Sequence, residues 1–129
     1  MQFAKTIVYV ADVAESLAFF EKAFGLKTRF IEDAGYGEVD TGDTILAFAT
    51  LKTGDYNLPD GYTANSARSD RVTFEIALVT ESVEEAFKRA VDAGAEVLQP
   101  PTTQPSGQVV SFLRCPDGTF VNLSSPAAD

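Results

Sequence analysis

Residues 12–25 read Asp-Val-Ala-Glu-Ser-Leu-Ala-Phe-Phe-Glu-Lys-Ala-Phe-Gly, and residues 82–94 read Ser-Val-Glu-Glu-Ala-Phe-Lys-Arg-Ala-Val-Asp-Ala-Gly. Each stretch opens with a residue suited to the N-cap of a helix, places a glutamate three positions later and ends on glycine. Apolar residues recur at helical spacing between these ends. The chain is therefore expected to contain the same small module twice, and a duplicated module favours a functional cleft between its copies.

Segments with strand patterns surround each helix in the same order. They are residues 5–10, 27–32, 35–40 and 44–51 in the first copy, and residues 72–79, 96–99, 108–114 and 119–125 in the second, where Pro100-Pro101 is expected to form a loop. Each copy is thus predicted to be a βαβββ module. Consecutive strands without intervening helices indicate an α+β fold, in which a curled mixed sheet surrounds a cleft and the helices lie outside.

The stretch 53–70 is rich in turn-forming residues and lacks periodicity, so it is predicted to connect the modules. One domain over residues 1–129 is expected, with module 1 at about 1–52 and module 2 at about 71–126. A lid, a dimer contact and a merely mobile loop all suit the connection. Tyr56 and Tyr62 within it are candidates to stack on an aromatic ligand, or to anchor the loop to the surface.

The composition excludes several functions. Nineteen acidic residues against ten scattered basic ones give a net charge of −9, which disfavours nucleic acid binding. The charge would suit a cationic ligand, although on charge alone a solubility surface is the favoured explanation. No histidine is present, so most hydrolytic triads and most zinc sites are excluded. The lone cysteine, Cys115, lacks a histidine to activate it. No stretch predicts a membrane span or a signal peptide, so a cytoplasmic protein is expected.

Three segments carry a resemblance to the vicinal oxygen chelate superfamily, which contains glyoxalase I, the bleomycin resistance proteins, fosfomycin resistance enzymes and extradiol dioxygenases. They are residues 10–25, Glu75-Ile-Ala-Leu, and Pro116-Asp-Gly-Thr-Phe-Val-Asn-Leu123. The resemblance extends over nearly the whole chain and implies the paired-module fold. It does not choose an activity, because the superfamily includes lyases, isomerases, transferases, dioxygenases and binding proteins.

Metal-dependent members of that superfamily draw ligands, usually His and Glu, from the first and last strands of each module. The resemblance places Lys5 and Ala47 at these positions in the first module, and Glu75 and Asn122 in the second. Only Glu75 is of a suitable type, so no metal, no other cofactor and no catalytic residue is expected. The Lys5 ammonium is a candidate to pair with Glu75 where an ion would lie; alternatively, both side chains face solvent.

Strand pairing adds further candidates. If the turns after Val39 and Arg114 are four-residue connections, Tyr36 lies opposite Ala47, and Ser111 opposite Asn122, on the cleft face. A slip of one residue would turn these side chains outward. The predicted ligand-binding residues are Lys5, Tyr36, Ala47, Glu75, Ser111, Asn122, Tyr56 and Tyr62.

The leading hypothesis is a metal-independent small-molecule binding protein of the bleomycin-resistance type, which sequesters a cationic or aromatic ligand such as an antibiotic and performs no reaction. Similar binding proteins are homodimers, so a homodimer without nucleic acid or membrane partners is expected. The alternative is a glyoxalase-like lyase or isomerase with Glu75 as its base. A third possibility is an accessory domain whose cleft is closed by side chains.

Overall fold

The computed structural model describes residues 1–31, 33 and 35–127. The chain divides into two compact units, Met1–Ser66 and Ala67–Asp129, and the boundary falls inside the stretch 53–70. The first unit contains β1 (Lys5–Val10), α1 (Val13–Phe24), β2 (Thr28–Ile31), β3 (Tyr36–Asp40), β4 (Ile45–Thr50) and α2 (Leu51–Asn57). The second contains β5 (Ile76–Val79), α3 (Val83–Ala93), β6 (Glu96–Thr103), β7 (Val109–Arg114) and β8 (Phe120–Ser124).

Both sheets have the same topology. The strand orders are β1-β4-β3-β2 and β5-β8-β7-β6, and in each sheet the first strand of the module runs parallel to the last while the other neighbours are antiparallel. The predicted α+β class with two βαβββ modules is therefore confirmed.

The two main helices begin and end where the sequence predicts. The Asp12 carboxylate accepts a hydrogen bond from the Glu15 amide at 3.0 Å, and the Ser82 hydroxyl accepts one from the Glu85 amide at 3.3 Å. Gly25 and Gly94 end the helices with positive φ angles, a conformation that glycine adopts without strain.

In the first unit, α1 packs on one face of the sheet. Val13, Leu17 and Phe20 are buried along this helix, and the ring centroids of Phe20 and Phe48 are 5.1 Å apart. A Cβ at Gly37 would collide with the Leu17 side chain, so this glycine permits the close approach of helix and sheet. Successive side chains of a strand point to opposite faces, so Tyr36 and Glu38, the neighbours of Gly37 in β3, lie on the face of the sheet opposite α1.

The second unit repeats this packing with α3. Val83 and Ala90 are buried on the helix, and Leu113, Val121 and Leu123 are buried on the sheet. Because these strand residues share one face by alternation and pairing, Asn122 lies on the opposite face of β8.

Three local predictions are wrong. Residues 51–57 form a short helix, because the Thr50 hydroxyl caps its first turn by accepting from the Thr53 amide. Pro100 and Pro101 lie within β6, which tolerates them because it is an edge strand with two register shifts. The strand expected from residue 72 begins only at Ile76, so Glu75 directly precedes β5.

None of the described helices is long and apolar enough to cross a membrane.

Candidate functional site

The face of the first sheet opposite α1, here called the far face, carries most of the first module's candidate residues. Strand pairing arranges its side chains in rows across β1, β4, β3 and β2. The rows are Lys5, Ile45 and Asp40; then Ile7, Ala47, Glu38 and Arg29; then Tyr9, Ala49, Tyr36 and Ile31. The small Ala47 and Ala49 therefore lie between the longer side chains of β1 and those of β3.

Lys5 and Tyr36 meet across this strip of alanines. The Lys5 Nζ donates a hydrogen bond to the Tyr36 hydroxyl at 2.8 Å, and that hydroxyl donates to the Glu38 Oε2 at 2.9 Å. Lys5 Nζ and Glu38 Oε2 are also 3.7 Å apart. The structure thus brings together two of the predicted residues, Lys5 and Tyr36, and adds Glu38 to them.

Glu38 is the centre of this group, and sequence reasoning missed it. Besides Tyr36 and Lys5, its carboxylate has Arg29, whose Nη2 lies 3.5 Å from the Glu38 Oε1. The Glu38 side chain is 21% exposed, which is low for an unshared carboxylate but compatible with one that has three partners. A signal was available, because Glu38 is two residues from Tyr36 in a strand and therefore shares its face.

The surroundings of Lys5 favour its charged form. The hydrogen bond to Tyr36, with smaller contributions from the Glu38 carboxylate, raises the pKa of the Lys5 ammonium above its ordinary value. Lys5 is therefore a cation at neutral pH, and a hydrogen-bond donor only.

The predicted register of Tyr36 is wrong by two residues. Tyr36 lies opposite Ala49, and Ala47 lies opposite Glu38, because the four-residue turn follows Asp40 instead of Val39. A shift of two residues keeps the side chains on the same face, so Tyr36 and Ala47 still share the far face.

The two tyrosines of the connecting stretch have different environments. Tyr62 packs against Tyr9 with ring centroids 5.5 Å apart, and its hydroxyl donates to the Leu51 carbonyl at 2.9 Å. It also lies against Gly54, where a Cβ would be 2.6 Å from the Tyr62 hydroxyl. Tyr62 thus anchors this segment to its own module. Tyr56, on α2, is 87% exposed.

In the second unit, Glu75 and Asn122 are brought together. The Asn122 Nδ2 donates to the Glu75 Oε1 at 3.2 Å, and the Asn122 Oδ1 accepts from the Ser124 hydroxyl. In the second sheet Ala77 lies opposite Asn122, and in the first sheet Ile7 lies opposite Ala47. Glu75 is two residues before Ala77, and Lys5 is two residues before Ile7. Lys5 and Glu75 therefore hold equivalent places in their modules. Their pairing with each other stays a prediction.

The prediction that Ser111 lies opposite Asn122 is wrong. Ser111 lies opposite Leu123, and Phe112 lies opposite Asn122, because the connection between Arg114 and Phe120 has five residues instead of four. The odd shift moves Ser111 to the face that Leu123 occupies, where it is fully buried.

Arg114 is a buried residue whose role the sequence did not reveal. Its guanidinium donates to the carbonyls of Ser69 at 3.1 Å, Asp70 at 3.2 Å and Gly118 at 3.1 Å, and its carbon Cζ lies 5.2 Å from the centroid of the Phe120 ring. These bonds satisfy most of its donors and hold residues 69–70 on the second sheet. Arg114 is thus a positioning residue for the start of this unit.

The donor groups at the four family metal positions do not fit a catalytic metal ion. Lys5 donates to Tyr36, Ala47 has no donor atom, and the Asn122 amide is directed to Glu75. Only Glu75 offers a charged ligand atom, whereas such sites need three or more ligands. Within the part of the chain that the structure describes, no group of three or more His, Cys, Asp or Glu residues is placed to hold a metal ion.

Comparison with known proteins places this architecture in a family. The model of the Glyoxalase/Bleomycin resistance protein/Dioxygenase superfamily matches residues 2–123. No curated protein matches the chain. The solved structure of a glyoxalase-related enzyme from Fulvimarina pelagi is similar, with 19% identity, 98% of this chain and 88% of that chain covered, and a TM-score of 0.83.

Two further solved structures are similar over nearly their full length. A glyoxalase/bleomycin resistance protein/dioxygenase family enzyme from Burkholderia phytofirmans PsJN has 15% identity, coverage of 97% of this chain and 98% of that chain, and a TM-score of 0.82. TioX from Micromonospora sp. ML1 has 20% identity, the same two coverages and a TM-score of 0.71. These identities establish a common fold alone. With the family model matched over residues 2–123, the chain belongs to the Glyoxalase/Bleomycin resistance protein/Dioxygenase superfamily.

Proposed function

We propose that this chain is a metal-independent small-molecule binding protein, a cytoplasmic homodimer that sequesters a cationic or aromatic ligand such as an antibiotic. The observation that carries the proposal is the donor set at the family's metal positions. Lys5 is a cation bonded to Tyr36, Ala47 is apolar, and Glu75 and Asn122 bond each other. A scaffold with this set retains surfaces for binding and lacks the ligands for metal chemistry.

Aromatic side chains on the far face support an aromatic ligand. Tyr9 and Tyr36 lie in one row, on either side of Ala49, so the far face carries two rings on which an aromatic group could stack. The net charge of −9 supports a ligand that carries positive charge, because the field of an acidic protein accelerates the association of cations. High salt is expected to weaken that effect.

The alternative of a glyoxalase-like lyase or isomerase depends on Glu75 acting as a base. In the structure one oxygen of that carboxylate is already engaged, because the Asn122 Nδ2 donates a hydrogen bond to the Glu75 Oε1 at 3.2 Å. Glu75→Gln distinguishes the two functions, because it would abolish a reaction that uses Glu75 as its base and would leave binding in place. We expect it to leave ligand affinity within about twofold, since an exposed hydrogen bond contributes little.

Binding is tested with a panel of cationic glycopeptides and planar aromatic antibiotics. The chain has no tryptophan and four tyrosines, all in the first unit, so quenching of tyrosine fluorescence reports on that unit, and calorimetry measures the affinity. We expect at least one compound to bind at micromolar concentration. Tyr36→Ala should weaken its binding about three- to tenfold, whereas Tyr36→Phe, which keeps the ring, should change it less than about twofold.

Two results would overturn the proposal. One is the absence of binding by every compound of the panel at micromolar concentration. The other is stoichiometric zinc, nickel or iron in the purified protein, because the donor set described above cannot account for a bound catalytic metal.

A further inference from the structure

An open depression of about 390 Å³ lies on the first unit, at one end of the far face. The residues that line it include Lys27 and Arg29 from the β2 side, Glu38 and Asp40 from β3, and Ile45 from β4. The pairing of β2 with β3 continues to Lys27, whose carbonyl accepts from the Asp40 amide at 2.9 Å. Positive charges therefore line one side of the depression and negative charges the other, with an apolar side chain beside them.

The charged groups differ in how far they are already satisfied. Glu38 is shared between Tyr36, Lys5 and Arg29. Asp40 accepts one hydrogen bond through Oδ1, from the Gly42 amide at 3.1 Å, and its Oδ2 has no partner among the described residues. The Lys27 ammonium forms neither a hydrogen bond nor an ion pair with any residue of 1–31, 33 and 35–127. The unpaired ammonium of Lys27 and the Asp40 carboxylate, of which only one oxygen accepts a hydrogen bond, thus line the same depression.

We propose that this depression binds a zwitterionic small molecule of the amino-acid class. The ligand's carboxylate lies between Lys27 and Arg29, its ammonium contacts the Asp40 Oδ2, and its side chain packs on Ile45. The inference rests on the proposed function as a small-molecule binding protein, and it adds a ligand class and a location separate from the row of Tyr9 and Tyr36.

The charges disfavour the two simpler ligand types. A purely anionic ligand would find Lys27 but would be repelled by a chain of net charge −9. A purely cationic ligand would find Asp40 but would meet the unpaired Lys27 and the Arg29 guanidinium, whose side chain is 71% exposed. A zwitterion has no net charge to be repelled and satisfies both unpaired groups at once.

The test uses three compounds with one phenylethyl framework. L-Phenylalanine carries both charges, 2-phenylethylamine lacks the carboxylate, and 3-phenylpropionate lacks the amine. Each is titrated into ¹⁵N-labelled protein to about 10 mM, enough to occupy a site with a Kd near 1 mM. Phenylalanine is expected to shift the amide resonances of residues 27–29, 38–40 and 45, and to bind more tightly than either analogue.

Matched variants assign the contacts. Lys27→Gln and Asp40→Asn remove the charges while keeping polar side chains, and the asparagine can still accept from the Gly42 amide. Each should raise the Kd for phenylalanine about two- to fivefold, the range of a partly exposed ion pair. Lys88→Gln and Asp92→Asn, on exposed positions of α3, should leave it unchanged.

The inference is overturned if phenylalanine shifts none of these resonances, if the shifts map elsewhere, or if either analogue binds as tightly as phenylalanine. The antibiotic panel separates this failure from that of the proposed function. If a panel compound binds while phenylalanine does not, only the zwitterion site is lost. If neither the panel nor phenylalanine binds, both proposals fail.

Discussion

At the scale of single residues, the far face shows how one unpredicted side chain can organise predicted ones. Alternation along β3 placed Tyr36 on the same face as Ala47, as the strand pairing shows, but its partner Glu38 was missed because an acidic residue in a strand resembles ordinary surface. The contacts explain its position, since Glu38 binds the Tyr36 hydroxyl and lies between Lys5 and Arg29. Partners of this kind depend on side-chain reach across two strands, which local sequence patterns do not encode.

Gly54 and Tyr62 allow a test of such a contact. Alanine is favoured over glycine in a helix by about 1 kcal/mol, so Gly54→Ala would ordinarily stabilise α2. Here the added Cβ would be 2.6 Å from the Tyr62 hydroxyl and would displace a ring that packs on Tyr9. The lost hydrogen bond and ring contact are each worth about 0.5–1.5 kcal/mol, so we expect a net loss near 1 kcal/mol in urea unfolding.

The control for this prediction is a variant without the Tyr62 ring, in which the effect of Gly54→Ala on the free energy of unfolding should have the opposite sign. In a Tyr62→Ala background the obstacle is absent, so the same Gly54→Ala substitution should stabilise the protein by a few tenths of a kcal/mol or more. Stabilisation by Gly54→Ala in the parent chain would show that Tyr62 does not hold this position.

At the scale of elements, the two main helices were predictable, whereas the short helix α2 and the register of the strands were not. Both main helices follow from cap residues, which act within one turn, and from the apolar spacing along each helix. The register of β7 and β8 depends on whether the connecting turn holds four or five residues, and this decides which face Ser111 occupies. Pro100 and Pro101 suggested a loop, whereas an edge position allows them within β6.

The duplicated caps predict matched losses of stability. Asp12→Ala and Ser82→Ala each remove the side chain that accepts the first-turn amide of α1 and α3. Each should lower the free energy of unfolding by about 1 kcal/mol in urea titrations followed by circular dichroism. Asp12→Asn and Ser82→Thr retain an acceptor and should cost less than half as much. Equal losses from the alanine and the conservative variants would rule out capping as the cause.

At the scale of the whole molecule, each of the two compact units contains a natural probe by which its unfolding can be followed separately. All four tyrosines lie in residues 1–66 and the single cysteine, Cys115, lies in the second unit. Cys115 is 1% exposed, and burial raises the pKa of its thiol well above the ordinary value. Because the thiolate is the reactive form, Cys115 should react with an aromatic disulfide reagent only after the second unit opens.

The composition of the two cores predicts which unit opens first. Phe20 and Phe48 are fully buried in the first unit, whereas among the described residues of the second unit the largest fully buried apolar side chains are Leu113 and Leu123. A core that removes less apolar surface from water is less stable. In a urea titration, the midpoint of Cys115 reactivity should therefore lie at a lower urea concentration than the midpoint of the change in tyrosine fluorescence. The fully unfolded chain is the reference for thiol reactivity. Coincident transitions would instead mean that the two units unfold as one cooperative domain.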